Sequence, residues 1–224
     1  MRILGISSAT KILGVALVDD EKILAEYSVT GEQAKTENLI IFIEEVLKKA
    51  GFELKDVEGL AVTQGPGSYG GLRGGLQTAK TLAQVLKIPV VGISTLEAVA
   101  YNLESVEGTI LAVTDASRDD FNLALFGTSA GKLRRLTEDA VANMDQIVKL
   151  LSQVKGTIYL TGIISDISAK LQMTNIKMVE SLPLPVNVAK LGLKKIRVGE
   201  VDDYLILMPY YSEKLGIKEW KSNA

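Results

Sequence analysis

The 224-residue sequence contains no cysteine and no histidine. The absence of cysteine excludes disulfides, thiolate catalysis and cysteine-ligated zinc sites. The absence of histidine removes the commonest general base near neutral pH and the commonest metal ligand. Any chemistry must therefore use carboxylates, lysine, tyrosine, hydroxyl groups or backbone amides.

A surplus of positive charge and a long apolar run are also missing. There are 25 basic and 27 acidic residues, whereas nucleic-acid binders usually carry a basic surplus because phosphate contacts supply much of their affinity. No run approaches the roughly 18 apolar residues of a membrane span. The opening MRILGISSA lacks the longer apolar core of a signal peptide. We expect a cytoplasmic protein that does not bind membranes.

The first hundred residues alternate between short apolar runs and helical patterns. Apolar runs separated by polar turns predict three antiparallel strands at 2–7, 12–18 and 22–29. A helix over 32–50, with apolar residues on one face, is predicted to stop at Gly51. Strands at 59–63 and 90–93 and helices at 71–86 and 94–103 follow, the last one opened by a Ser94–Glu97 capping box. This order is that of a ribonuclease H-like unit.

The same pattern restarts in the second half of the chain. ILAVT at 110–114 resembles ILGIS at 3–7, and NLALF at 122–126 resembles GVALV at 14–18. We therefore predict an α/β protein of two tandem ribonuclease H-like units, as in actin-like ATPases (the ASKHA class), with mixed sheets flanked by helices. The predicted domains are 1–105 and a smaller 106–224, whose last helix, at 186–196, packs back on the first. A single irregular α/β domain is the alternative.

The glycine-rich segment after the strand at 59–63 has two interpretations. Gly65, Gly67 and Gly70 fit the G-x-G-x-x-G pattern of dinucleotide-binding turns. No acidic residue ends the next strand to bind a ribose, and no Gly-Lys-Ser/Thr of a P-loop follows. The segment is then either a tight turn with close helix packing through glycines 71, 74 and 75, or a phosphate site at a helix N-terminus, with Arg73 beside it.

The carboxylates of a metal site are missing from the first strand. Ribonuclease H-like nucleases and actin-like ATPases use an aspartate there to hold a divalent metal, and here the strand ends Ser7-Ser8-Ala9. Asp115 ends the corresponding strand of the second half, where it either caps a turn or contributes to a site. We predict no metal site and no catalytic residue. The candidate vestigial phosphate-binding residues are Gly65, Gly67, Ser68, Gly70 and Asp115.

A wide apolar band marks the helix predicted at 32–50. Ile40 and Ile41 lie beyond its main apolar stripe, and a band this wide indicates deep burial or an interface. We predict a partner-binding or self-pairing surface on this helix and the next, with these candidates: Leu39, Ile40, Ile43, Val46, Leu47, Arg73 and Leu76. Basic clusters at 132–135 and 194–197 indicate solvated faces or, alternatively, RNA contacts.

Several of these motifs together resemble one family. GPGSYGGLR at 65–73, TAK at 78–80 and IPVVGISTLEA at 88–98 are similar to the TsaB (YeaZ) family. Thr36-Glu37, Asp115-Ala116 and PYY at 209–211 resemble further landmarks. The sequence departs from the family where its first strand usually ends Asp-Thr-Ser, and where Gly70 and Gly74 replace Thr and Ile.

The resemblance implies a function. TsaB-like proteins have a two-domain actin-like fold and lack the metal-binding His-x-x-x-His of TsaD, which transfers a threonylcarbamoyl group to the adenosine beside a tRNA anticodon. The resemblance implies that this protein is a non-catalytic subunit that supports a TsaD-like enzyme together with a TsaE-like ATPase, and that it forms a homodimer when it is alone. Contact with tRNA would come only through the complex, and ATP or ADP at the partner interface stays open. The alternative is an actin-like ATPase or small-molecule kinase using the glycine-rich turn and Asp115.

Overall fold

A computed structural model of the chain describes residues 1–117, 119–163, 167, 171 and 175–214. They form two compact units. The first comprises Met1–Val99 and Leu182–Tyr211, and the second comprises Ala100–Ser181 with the described residues from Ser212. This division differs from the predicted 106–224 domain, because the chain leaves the second unit after Ser181.

The first unit is built on a five-stranded mixed sheet. Its order is β3-β2-β1-β4-β5, in which the first three strands are antiparallel neighbours and β4 and β5 continue parallel to β1. The central strands are buried on both faces, which explains their unbroken apolar runs. The strands are β1 (Arg2–Ser7), β2 (Ile12–Asp19), β3 (Lys22–Thr30), β4 (Gly59–Gly65) and β5 (Val90–Ser94).

One face of this sheet is covered by two helices, α1 (Leu39–Ala50) and α2 (Tyr69–Leu86). The predicted helix over 32–50 begins only at Leu39, because two separate 3-10 turns with extended backbone at Lys35 occupy 31–38. It ends as predicted at Gly51, which adopts a left-handed conformation. The short α3 (Thr95–Ala100) has the predicted start, where the Glu97 amide donates to Ser94 Oγ at 3.2 Å.

The opposite face is covered by the helix at Pro185–Arg197, which is α5 in chain order. Two glycines allow it to approach the sheet closely. A β-carbon at Gly5 would overlap backbone atoms of Pro185 and Ala189, and one at Gly192 would overlap the Ala61 side chain. This packing explains why residues late in the chain belong to the first unit.

The second unit repeats the topology of the first. Its sheet has the order β11-β10-β6-β7-β9-β12, with β8 also pairing with β7. As in the first unit, the opening strand pairs antiparallel with its successor and parallel with a later strand, so the predicted fold class is confirmed. The elements are β6 (Gly108–Ser117), β7 (Asp120–Ser129), β8 (Lys132–Arg135), β9 (Ala140–Ala142), α4 (Met144–Leu151), β10 (Ile158–Gly162), β11 (Ile176–Glu180) and β12 (Glu213–Lys214).

Candidate functional site

The glycine-rich turn connects β4 to α2 and is held against the hairpin between β1 and β2. The Ser68 amide donates a 2.7 Å hydrogen bond to the Ala9 carbonyl. The Ser68 hydroxyl caps α2 by accepting from the Gly71 amide at 3.4 Å. Gly65 has φ +135°, and a β-carbon there would overlap the Tyr210 carbonyl. The turn therefore engages the protein's own backbone.

The glycines of this turn differ in the space around them. A β-carbon at Gly67 would overlap the Ala9 carbonyl, and one at Gly71 would overlap the Ser8 carbonyl. At Gly75 it would overlap the Ser8 hydroxyl, whereas at Gly70 nothing lies within 4 Å. Close packing of α2 on the first hairpin therefore accounts for three glycines without invoking a bound phosphate.

A polar cleft of about 190 Å³ lies beside the turn. It is bounded by the end of β1, the 3-10 turns before α1 and the start of α2. Its volume is below the roughly 300–1,000 Å³ of typical small-molecule sites. The lining residues are Ser8, Thr10, Ile12, Leu13, Ala34, Lys35, Thr36, Glu37, Ser68 and Gly71.

Most of the predicted interface residues lie in the core. Leu39, Ile43, Val46, Leu47 and Leu76 are each 5% exposed or less and belong to one apolar cluster with the sheet. These five residues therefore do not form an exposed partner surface as predicted, because the apolar stripe of α1 packs inside the unit.

The remaining two candidates, Ile40 and Arg73, are exposed. Ile40 and its neighbour Ile41 are half exposed on α1. The outward residues of α2 after Arg73 are uncharged, namely Gln77, Thr81, Gln84 and Val85. On α1 the exposed isoleucines are followed by four exposed charged residues, Glu44, Glu45, Lys48 and Lys49. Depletion of charge with retained apolar side chains is typical of interface cores, so the start of α1 and the outer face of α2 form the centre of the candidate site, and the rest of α1 would be its polar rim.

A second exposed feature comprises residues 198–211, which we call the strap; only PYY at 209–211 was singled out from the sequence, and no surface was predicted there. The strap follows α5 and binds β5, where the Asp202 amide donates to the Val90 carbonyl at 2.9 Å. Leu205, Ile206 and Met208 on it are each about two-thirds exposed or more. The sequence does contain closely spaced apolar residues in this segment, but they follow neither a helical nor a strand period that would predict which of them are exposed.

The other predicted residues belong to other elements of the chain. Asp115 is an exposed residue of β6 in the second unit, and its backbone oxygen accepts from Asn122. Arg135 pairs with Asp139 and packs on Phe126, and Arg197 pairs with Asp20. These contacts occupy one arginine in each basic cluster. In the parts of the chain that are described, no group of three acidic, histidine or cysteine residues is arranged to hold a metal.

Two tandem ribonuclease H-like units define the class of actin-like proteins. A family model described as "TsaD: tRNA N6-adenosine threonylcarbamoyltransferase" matches residues 23–194. The Bacillus subtilis tRNA threonylcarbamoyladenosine biosynthesis protein TsaB is 28% identical over 219 residues, covering 92% of this chain and 95% of that protein. The chain belongs to the family of this model and, within it, to the TsaB (YeaZ) group.

Two further comparisons bear on this assignment. The structure of YeaZ from Pseudomonas aeruginosa superposes with a TM-score of 0.82 at 20% identity, covering 94% of this chain and 99% of that chain, which shows a common fold. The tRNA N6-adenosine threonylcarbamoyltransferase of Geotalea daltonii is 35% identical over 120 residues, covering 54% of this chain but only 32% of that enzyme. The likeness to the transferase is thus limited to about a third of its length.

Proposed function

We propose that this protein is a non-catalytic subunit in the biosynthesis of threonylcarbamoyladenosine in tRNA, supporting a TsaD-like transferase. The observation that carries the proposal is its similarity to a TsaB protein along nearly the whole of both chains. A sequence without histidine or cysteine supports a non-catalytic role, because the commonest metal ligands and general bases are unavailable.

The partner surface that we propose is the outer face of α1 and α2. This face combines the exposed isoleucines at 40 and 41 with the uncharged outer residues of α2. Both helices are anchored by a continuous core below them, so binding would need little ordering of the backbone. The same face would form a homodimer when the transferase is absent.

The remaining components of the proposal follow from family membership. A TsaE-like ATPase would join the complex, and tRNA would be bound through the complex, in the cytoplasm where tRNA is modified. ATP or ADP, if required, would act at the partner interface. Among the described residues no helix is long and apolar enough to cross a membrane.

The proposal is tested by mixing the purified chain with the TsaD-like protein of the same organism at micromolar concentration. Light scattering coupled to size exclusion should detect a complex larger than either component. Ile41→Glu should weaken this complex at least tenfold, because it places a charge in an apolar contact. Val148→Glu, at an exposed valine of α4 in the second unit, is the matched control. Absence of any complex, with or without ATP, contradicts the proposal.

A further inference from the structure

The two ends of the first sheet differ in the charge that their strands carry. β3, at one end, contains Lys22 and Glu26, and charged side chains on an edge strand hinder its pairing with another chain. β5, at the other end, reads VVGIS and contains no charged residue. The first four residues of β5 are buried, so its own side chains do not keep a further strand away. Protection of this edge must therefore come from another segment.

The hydrogen bonds of β5 identify the backbone groups that form this edge. The Pro89 carbonyl accepts from the Leu60 amide of β4 at 2.9 Å. Because backbone groups alternate in direction along a strand, those of Val90, Gly92 and Ser94 point away from β4. Gly92 is the middle residue of the strand. Two copies of this edge would therefore match in antiparallel register about a two-fold axis at Gly92, with Val90 opposite Ser94.

The outward groups of β5 are occupied by two charged residues that lie far away in sequence. The Asp202 amide donates to the Val90 carbonyl at 2.9 Å, and the Asp202 carboxylate accepts from the Gly92 amide at 2.7 Å. One aspartate thus supplies both the donor and the acceptor that a neighbouring strand would offer. Lys195, in the last turn of α5, donates to the Gly92 carbonyl at 3.4 Å. The central part of the edge is therefore closed.

The strap is also held by contacts that do not involve β5. Leu207 is 4% exposed and packs in the core, and its carbonyl accepts from Lys80 of α2 at 2.9 Å. The Gln64 side chain donates to the Met208 carbonyl at 3.0 Å. These contacts should keep the strap in place when the Asp202 side chain is removed. A substitution at Asp202 therefore opens the edge of β5 without releasing the whole segment.

We propose that Asp202 and Lys195 form a plug that prevents the β5 edge from pairing with the same edge of a second copy of the chain. An added strand would need the backbone groups of Val90 and Gly92 that the plug occupies. It would also displace a carboxylate and an ammonium group from their hydrogen bonds and bury them, which is costly for charged groups. The inference does not depend on the proposed function.

The test compares Asp202→Ala, which removes the acceptor of the Gly92 amide, with Asp202→Asn, which keeps an oxygen at that place. Asp203→Ala is the matched control for the loss of one charge, because the Asp203 carboxylate accepts from the Leu205 amide inside the strap. Light scattering measures the size of each protein across the micromolar range. Hydrogen exchange followed by NMR measures protection of the Gly92 amide, and far-UV circular dichroism verifies folding.

We expect Asp202→Ala to form larger species than the wild type, Asp202→Asn and Asp203→Ala do. In dilute solution its Gly92 amide should exchange at least about tenfold faster than in the wild type. The amide should become protected again as the concentration rises and a second edge covers it. Adding Lys195→Ala, which frees the Gly92 carbonyl, should strengthen the association.

Three results would overturn the plug. The first is a folded Asp202→Ala protein that keeps the wild-type size at every concentration. The second is association that leaves the Gly92 amide unprotected, because the copies would then meet at another surface. The third is unfolding of Asp202→Ala, because Asp202 would then be required for the fold itself.

Discussion

Alanine substitutions in the first turn of α2 distinguish packing from phosphate binding as the reason for its glycines. Gly70 and Gly71 are consecutive helical residues, so their intrinsic helix propensities are alike. Their surroundings differ, because a β-carbon at Gly71 would overlap the Ser8 carbonyl and one at Gly70 would meet nothing. The pair is therefore an internally controlled experiment.

The magnitudes follow from these two environments. At position 70, alanine should stabilise the protein by about 0.5 kcal/mol, since it restricts the unfolded chain without a steric cost. At position 71, the helix or the first hairpin must shift, and overpacking of this kind costs about 1–3 kcal/mol. Gly75→Ala should fall between the two, because the Ser8 hydroxyl that it would meet can rotate, unlike a backbone carbonyl.

Urea unfolding followed by far-UV circular dichroism measures these differences in the free energy of unfolding. An unchanged dependence of this free energy on urea concentration indicates that the variants expose the same surface on unfolding. We expect Gly70→Ala to raise the midpoint and Gly71→Ala to lower it, a separation of about 2 kcal/mol. If the two variants were equally stable, the close packing of α2 on the hairpin would not explain Gly71. Loss of partner binding by a stable, folded Gly70→Ala protein would show that this glycine has a role beyond packing.

Three further predictions concern the core, a surface ion pair and activity. Ile43→Ala should destabilise the protein by about 3 kcal/mol in urea unfolding, because it empties a buried site, whereas Ile41→Ala should change stability by less than about 0.5 kcal/mol. The amino-terminal ammonium, followed by Arg197, lowers the pKa of Asp20 below its ordinary 3.8. Asp20→Asn should therefore destabilise the protein at pH values above this ordinary pKa of 3.8. The difference in stability between the variant and the wild type should vanish as the pH falls through the lowered pKa, and a difference that persists in acid would contradict this. The purified chain alone should not turn over ATP, and steady turnover abolished by Asp115→Ala would favour the alternative of an actin-like ATPase.

The fold was predictable where periodicity carries the information. The apolar run at 3–7 and the similar run at 110–114 identified the opening strands of the two units. The capping box at Ser94 predicted the start of α3. The start of α1 was predicted too early because the apolar pattern does not distinguish 3-10 turns from an α-helix. The return of α5 to the first unit depends on close glycine contacts between this helix and strands β1 and β4, which are distant in sequence, and no local pattern specifies such contacts.

The surface was harder to predict than the fold. Hydrophobic periodicity identified Ile43 and Leu47 as a stripe, but it cannot distinguish a stripe that faces the sheet from one that faces a partner. The structure places this stripe inside, and it leaves Ile40 outside. The strap has no periodicity at all, and its backbone is held in place by tertiary hydrogen bonds from Gln64 and Lys80.

The central claim, that this chain supports a TsaD-like enzyme without performing catalysis, is tested most directly by reconstituted tRNA modification. Threonylcarbamoyladenosine is quantified in a tRNA substrate after incubation with the TsaD-like protein and the other components of the pathway, with and without this chain. The account predicts modification only when both proteins are present, and none when this chain replaces the TsaD-like protein. Equal modification without the chain, or modification by the chain in place of the enzyme, would contradict it.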